Sequence, residues 1–565
     1  QGTDRKYLKT VATVKHYAVH SGPEADRHRF DAKASIKDMR ETYLPAFKEC
    51  VTEAGAYSVM GAYNRTNGEP CCASPFLMDR TLRGEWKFGG YYVSDCGAIA
   101  DFHEHHKITK DAAESAAMAV NAGCDLNCGR AFEGLLEAAK RGLIKEEQID
   151  VSVRRLMLAR LKLGMFDPAD MVPYAKIPYD IVCCEKHLDL CREMARRSMV
   201  LLKNDGMLPL DAGKLKNMAV IGPNADNRQA LWGNYHGTAD EQYTVLEGLR
   251  ALLPDAHIRY AQGCTHKGNA ADSFWGEKAH WGLAEAMAAA ARADAVVLVL
   301  GLDERYEGEE GEEGGDKAKI ALPEIQRSLF DAVASAGKPI VLVMMTGSAA
   351  DMRPYKKASA ILQAWYPGQF GGLAVAETLL GLNNPSGRLP VTFYRDDESL
   401  PDIRDYSMEG RTYKFIDEDP AYPFGFGLSY TAFNYGGIKL SRQTLEAGGT
   451  VSVSATIRNT GGRAGGEVVQ LYLKDNDSST RLPRWQLIDF RRVELRPDES
   501  REVSFEIPAR SMCAILDDGR AVVEPGRFTV YVGGSQPDEL SATLMGRRPL
   551  EASFVVTGEA LEMEY

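Results

Sequence analysis

Long hydrophobic runs are missing from this sequence. The longest, Ala295 to Leu300 and Pro339 to Met345, fall far short of the ~18 residues a membrane span needs, so a soluble protein is expected. An excess of positive charge is missing as well. The 67 Lys and Arg are outnumbered by 79 Asp and Glu, a net charge of −12 spread along the chain, which leaves no electrostatic footprint for nucleic acid or an anionic membrane. Nucleotide loops are absent too. Gly222-Pro223-Asn224 follows an apolar strand, but without G-x-G-x-x-G or a P-loop a nucleotide-dependent enzyme is disfavoured. His103-Glu104-His105-His106 lacks the HExxH spacing and has no Cys-x-x-Cys beside it, so neither a metal nor any other cofactor is expected.

Cysteine is present but without a pattern. The 11 cysteines are odd in number, scattered, and include the adjacent pairs Cys71/Cys72 and Cys183/Cys184. They do not read as a disulfide framework, which favours a reducing, cytoplasmic setting over a periplasmic or secreted one. Gln1 is followed by no charged segment with an apolar stretch behind it, so no signal peptide is legible.

What is present is ordinary globular material. The 565 residues, 44% apolar and 26% charged, suit three or four domains. Residues 1–165 alternate strand-like runs (Val11 to Tyr17, Tyr57 to Tyr63, Tyr91 to Ser94, and one ending near Asp125) with helical stretches over Ser35 to Cys50 and Asp111 to Asn121. That alternation implies a parallel α/β sheet. Lys15, His16, Asp95 and Asp125 stand where apolar runs end, the place where such folds carry their sites. Residues 166–195 contain Pro168, Pro173 and Pro178 and read as a linker. A second α/β region spans 196–400, with strands expected at Met218 to Ile221, Ala295 to Leu300, Ile340 to Met344 and Ala360 to Ala364. A connector over 401–439 includes the Gly- and aromatic-rich Tyr422 to Thr431. Over 440–557 the apolar period becomes two, as in Val451, Val453, Ala455 and Ile457, which implies an all-β sandwich.

Three groups of residues could carry chemistry. Ser94-Asp95-Cys96-Gly97-Ala98 fixes a carboxylate at a strand end beside a glycine, which suits a nucleophile or a metal ligand or, more simply, a helix or turn cap. Lys15 and His16 are adjacent, so both can face one ligand only where the strand breaks; otherwise one is a surface lysine and the other a satisfied core histidine. The run from Asp303 to Lys317 is crowded with Glu. Dense like charges raise one another's pKa, which favours a protonatable acid if one member is partly buried. Most of the run otherwise reads as a solvated loop, and EF-hand spacing is absent.

Taken in order, Val14-Lys15-His16-Tyr17, Ser58-Val59-Met60-Gly61-Ala62-Tyr63-Asn64 with Asn67-Gly68, Tyr92 to Ala98, Ala122 to Gly129, the Glu-rich loop and Tyr422 to Thr431 resemble glycoside hydrolase family 3, the retaining β-glycosidases. The resemblance covers nearly the whole chain. It implies part of a TIM-like (β/α)8 barrel, an α/β sandwich domain and a C-terminal fibronectin-III-like β-sandwich. It also implies that Asp95 is the nucleophile, that Lys15 and His16 bind sugar hydroxyls, and that Met60 and Tyr63 line the subsite. The acid/base is expected from the Glu-rich loop, with Glu309 in register and Glu313 its rival. Asp95 beside Lys15 and His16 is expected to stay ionised, and a Glu among Glu to have a raised pKa.

Cys96, Cys71-Cys72 and Asn127-Cys128-Gly129 look like the β-xylosidase branch, which implies an oligosaccharide or aryl β-glycoside substrate. A β-glucosidase of the same family remains the alternative, as does an inactive sugar-binding fragment. A barrel needs eight βα units in ~250 residues, yet about four fit before residue 165. The chain is therefore expected to be N-terminally truncated.

Overall fold

Three parallel strands, β1 (Thr13–Tyr17), β2 (Ser58–Gly61) and β3 (Tyr91–Ser94), form the main sheet of the first region, with β2 in the middle. The computed structural model describes residues 1–20, 22–267, 278–309 and 317–565. The run ending near Asp125 adds only a bridge between Val93 and Leu126, so among the described residues this sheet is open. Tyr17, Val59 and Tyr92 pack in one core with Leu77, Leu82, Phe102 and Ala119 from the flanking helices. The helix expected over Ser35 to Cys50 forms in pieces, Ile36–Asp38, a wider turn Met39–Tyr43, and Pro45–Thr52. Pro45 has no N–H to donate and starts a helix instead of continuing one.

The second region is a six-stranded sheet of β4 (Val200–Asn204), β5 (Asn217–Ile221), β6 (His257–Ala261), β7 (Ala295–Gly301), β8 (Ile340–Met345) and β9 (Ala360–Gln363), in the order β4-β9-β8-β7-β5-β6. All neighbours are parallel except β4 with β9. Both faces are covered, so β7 is apolar at every position. Val296, Leu298 and Leu300 enter one core, while Ala295, Val297 and Val299 enter the other.

Two boundaries differ from the sequence reading. The linker over 166–195 is not irregular throughout, because a helix runs Glu185–Ser198 and its Arg196 grips Glu377 through two 2.6 Å bonds. Its three prolines all precede residue 179, so nothing interrupts a helix after them. The connector ends early as well. Phe433–Leu440 is already a strand of the third region, paired with Val451–Asn459.

That third region is a sandwich of a three-stranded and a five-stranded sheet. Its inward residues, among them Val453, Ile457, Leu471, Phe505 and Val530, are buried at period two. It braces the first region: Arg40 donates to the Gly519 carbonyl at 2.8 Å, and the Tyr565 ring lies 4.4 Å beneath the Arg40 guanidinium. No helix among the described residues is long and apolar enough to cross a membrane.

The cysteines hold one correction. Cys96 and Cys128 form a disulfide, and nine others are free. Residues 32 apart in sequence meet because the Val93–Leu126 bridge brings the two chain segments side by side.

Candidate active site

The carboxylate of Asp95 is placed by its neighbours. Its backbone N–H donates to the Gly61 carbonyl at 3.1 Å, continuing the β2–β3 ladder by one residue. The chain then turns at Gly97, whose φ of +87° suits glycine, and the Gly97 N–H donates to the Cys128 carbonyl at 2.8 Å. Ser94 Oγ accepts from Asn127 Nδ2 at 3.1 Å and from the Cys128 N–H at 3.0 Å. Together with the Cys96–Cys128 bond, these contacts hold the loop from two sides. Asp95 is 7% exposed, and its Oδ1 accepts from the Cys96 N–H at 2.8 Å.

His16 Nε2 lies 3.2 Å from Asp95 Oδ2. Both atoms are buried, and neither makes a hydrogen bond of good geometry with a described residue, so both keep polar capacity for the space between them. The pairing of β1 with β2 slips between Val14 and Tyr17. That break lets Lys15 and His16 face the same cavity, of about 410 Å³, as Asp95, Tyr63, Arg27 and Glu309. Burial pushes the His16 pKa down, against the pull of the Asp95 charge, which favours the neutral imidazole. The positive charge at the rim comes from Lys15, whose Nζ sits 4.5 Å over the Tyr235 ring. Burial, reinforced by the Asp95 charge, pushes the Tyr63 phenol up.

Glu309 arrives from the second region. Arg27, 5% exposed, places Nη1 3.1 Å from Glu309 Oε1 and 2.9 Å from Glu24 Oε1. Tyr235 donates a short hydrogen bond to Glu309 Oε2. The Tyr235 bond holds the Glu309 carboxyl below its ordinary value; partial burial opposes this, while Arg27, His16 and Lys15 add to it. Among the described residues, the groups that act on Glu309 are therefore a phenol and cations, which lower its pKa where the sequence argument expected a raised one.

Glu307, two residues earlier, is an anchor. Lys317 Nζ at 2.9 Å, the Gly347 N–H at 2.7 Å and the Ser348 and Tyr366 hydroxyls surround it. Burial opposes its charge, yet Lys317 and the hydroxyls outweigh burial and hold its carboxyl low. Glu313 lies outside the described residues.

Two other residues stand elsewhere. Met60, expected to line the subsite, is half-buried on β2 and is not in the wall of this cavity. Asp125 is structural: its buried carboxylate takes Arg83 at 3.1 Å, Arg155 at 2.9 Å and the Tyr92 N–H at 2.9 Å. Arg27 and Tyr235 were not legible as site residues. Arg27 is one of many arginines in sequence, and Tyr235 lies 220 residues from Lys15 on a loop of another domain.

Family models match most of this architecture. Residues 1–159 match the glycosyl hydrolase family 3 N-terminal domain and residues 199–430 the glycosyl hydrolase family 3 C-terminal domain. The chain belongs to glycosyl hydrolase family 3. A fibronectin type III-like domain matches within its third region, at 467–536. Among its family 3 relatives are a xylan 1,4-beta-xylosidase of Xylanibacter ruminicola, 32% identical over 95% of this chain and 78% of that protein, and a beta-xylosidase of Formosa agariphila, 35% identical over 95% and 76%. Solved structures agree. A GH3 exo-beta-xylosidase in complex with a xylobiose aziridine probe superimposes with a TM-score of 0.89 at 28% identity, covering 100% of this chain and 74% of that one. A beta-glucosidase from Erythrobacter marinus gives 0.86 at 30%, covering 97% and 74%.

Proposed function

We propose that this family 3 chain is a retaining exo-acting glycoside hydrolase that releases terminal β-linked xylose from β-1,4-xylo-oligosaccharides. The observation that carries it is one cavity holding Asp95 and His16 from the first region and Glu309 from the second. Retaining hydrolysis uses one carboxylate to attack the anomeric carbon and one carboxyl to protonate the departing oxygen. Asp95 serves as nucleophile, forming a glycosyl-enzyme whose anomeric carbon is later attacked by water. Glu309 serves as acid in the first step and as base in the second.

The local contacts support these roles. His16 Nε2 and Asp95 Oδ2 have hydrogen-bonding capacity left for sugar hydroxyls. Glu309 is held towards its ionised form in the free protein, which suits the base step directly. A sugar packed against it removes solvent and raises its proton affinity towards what the acid step needs.

The xylosidase relatives favour xylose, whereas the likeness to beta-glucosidase structures sustains glucose as a second reading. Parallel assay of this 565-residue chain on aryl β-xyloside, β-glucoside and α-arabinofuranoside separates them. Faster β-xyloside turnover with retained anomeric configuration is expected. Preference for the glucoside would move the assignment to β-glucosidase, and binding without turnover of any substrate would leave a sugar-binding protein.

A further inference from the structure

A second cluster of ionisable side chains lies on the far side of Tyr63. Asp101 and His105 are four residues apart across the short helix Asp101–Glu104, and His28 comes from the segment that follows Arg27. Asp101 is 3% exposed. One of its oxygens is 2.9 Å from His28 Nδ1 and the other 2.7 Å from His105 Nδ1, while the two imidazole centroids stand 5.5 Å apart. The edge of one of these rings, His28, packs 4.6 Å from Tyr63.

We propose that His28, Asp101 and His105 form a binding site for a divalent transition cation of the zinc class. Each offers one ligand atom, and these atoms lie within 4.8 Å of one another. Ligands of one tetrahedral zinc ion stand about 3.3 Å apart, so small side-chain rotations close the set. Two imidazoles and one carboxylate suit Zn2+, Co2+ or Ni2+, whereas Ca2+ and Mg2+ take oxygen ligands.

The environment fits such an ion. The carboxylate is fixed in the interior, and the imidazoles, 38% and 45% exposed, leave an approach from solvent and room for a water ligand. The Asp101 carboxylate is buried between the two imidazoles, and a dication there would offset its charge. The ion would also fasten the segment carrying Arg27 to the helix that follows Asp95, joining two chain segments that each bear a residue of the cavity.

The test is calorimetric titration of untagged protein with Zn2+ after alkylation of its free thiols, since Cys183 and Cys191 are exposed. One equivalent per chain is expected, with a rise in Tm. His28→Ala and His105→Ala should each weaken binding by more than the ~10–100-fold that loss of an outer-sphere partner costs. His103→Ala, whose ring instead meets Ser115 Oγ at 2.9 Å, should not. X-ray absorption of the wild-type zinc complex gives a readout independent of how the variants fold, and should find two imidazoles with oxygen donors and no sulfur. Absence of stoichiometric uptake, uptake that survives both alanine variants, or a sulfur-ligated spectrum would each overturn the site and leave only a carboxylate bonded to two imidazoles.

Discussion

Arg27 Nη1 stands 3.1 Å from Glu309 Oε1, so a guanidinium of the first region holds a carboxylate of the second. Tyr235, of the second region like Glu309 itself, holds the other oxygen. Its bond is the largest influence lowering the pKa of this carboxyl, and Arg27, His16 and Lys15 add to it from across the domain boundary.

The Tyr235 bond predicts the behaviour of Tyr235→Phe. The phenol is the largest influence lowering the Glu309 pKa, and it stabilises the deprotonated form. Removing it lets the carboxyl keep its proton to higher pH. Activity that needs protonated Glu309 is lost as pH rises through its pKa, so the alkaline limb of kcat/KM should move upward. A limb that stays put or moves downward would remove Glu309 from the acid role.

Leaving-group ability distinguishes the two carboxyl groups. Asp95→Asn should lower kcat by on the order of 10⁴-fold on every substrate, because attack at carbon is required whatever departs. Glu309→Gln should lose about 10²–10⁴-fold on xylobiose but far less on a dinitrophenyl xyloside, whose leaving oxygen needs no proton. Equal losses on both substrates would reassign the acid.

Asp125→Asn tests a carboxylate whose role is structural. Its side chain is fully buried between Arg83 and Arg155, and neutralising one member of such a set leaves buried charge uncompensated at a cost of about 3 kcal/mol or more. A fall in Tm of several degrees is expected, with KM unchanged at temperatures where the variant is folded. Lost activity without lost stability would return Asp125 to the site.

The disulfide can be counted. Thiol titration of the unfolded, unreduced chain should find nine free cysteines, and two more after reduction. Cys128→Ser opens a loop spanning 32 residues, worth about 3–4 kcal/mol by chain entropy, and should lower Tm. Because the same bond flanks Asp95, kcat should fall as well. Eleven thiols before reduction would exclude the bond.

The three regions are legible in the sequence because their signals are local, as is the place of Asp95 at a strand end, whereas its role as nucleophile is what the family resemblance implies. Alternation at period two marks Val451 to Ile457, continuous apolar runs mark β7 and β8, and Asp95, Lys15 and His16 follow strands within a few residues. Local rules also mislead where several partners fit one pattern. Asp125 and Asp95 both end apolar runs, yet two arginines close over one and a cavity opens at the other.

By itself the sequence determined where most strands and helices of the three regions form, that the chain has a family 3 organisation, and which carboxylate follows β3. Period and run length encode burial, and burial is what forms the elements. Only the tertiary structure decided that Cys96 meets Cys128, that His28 meets Asp101 and His105, and that Glu309 meets Arg27 and Tyr235. Those partners are separated by 32 to 282 residues, and a pKa or a ligand set depends on distance in space, which no local pattern of residues records.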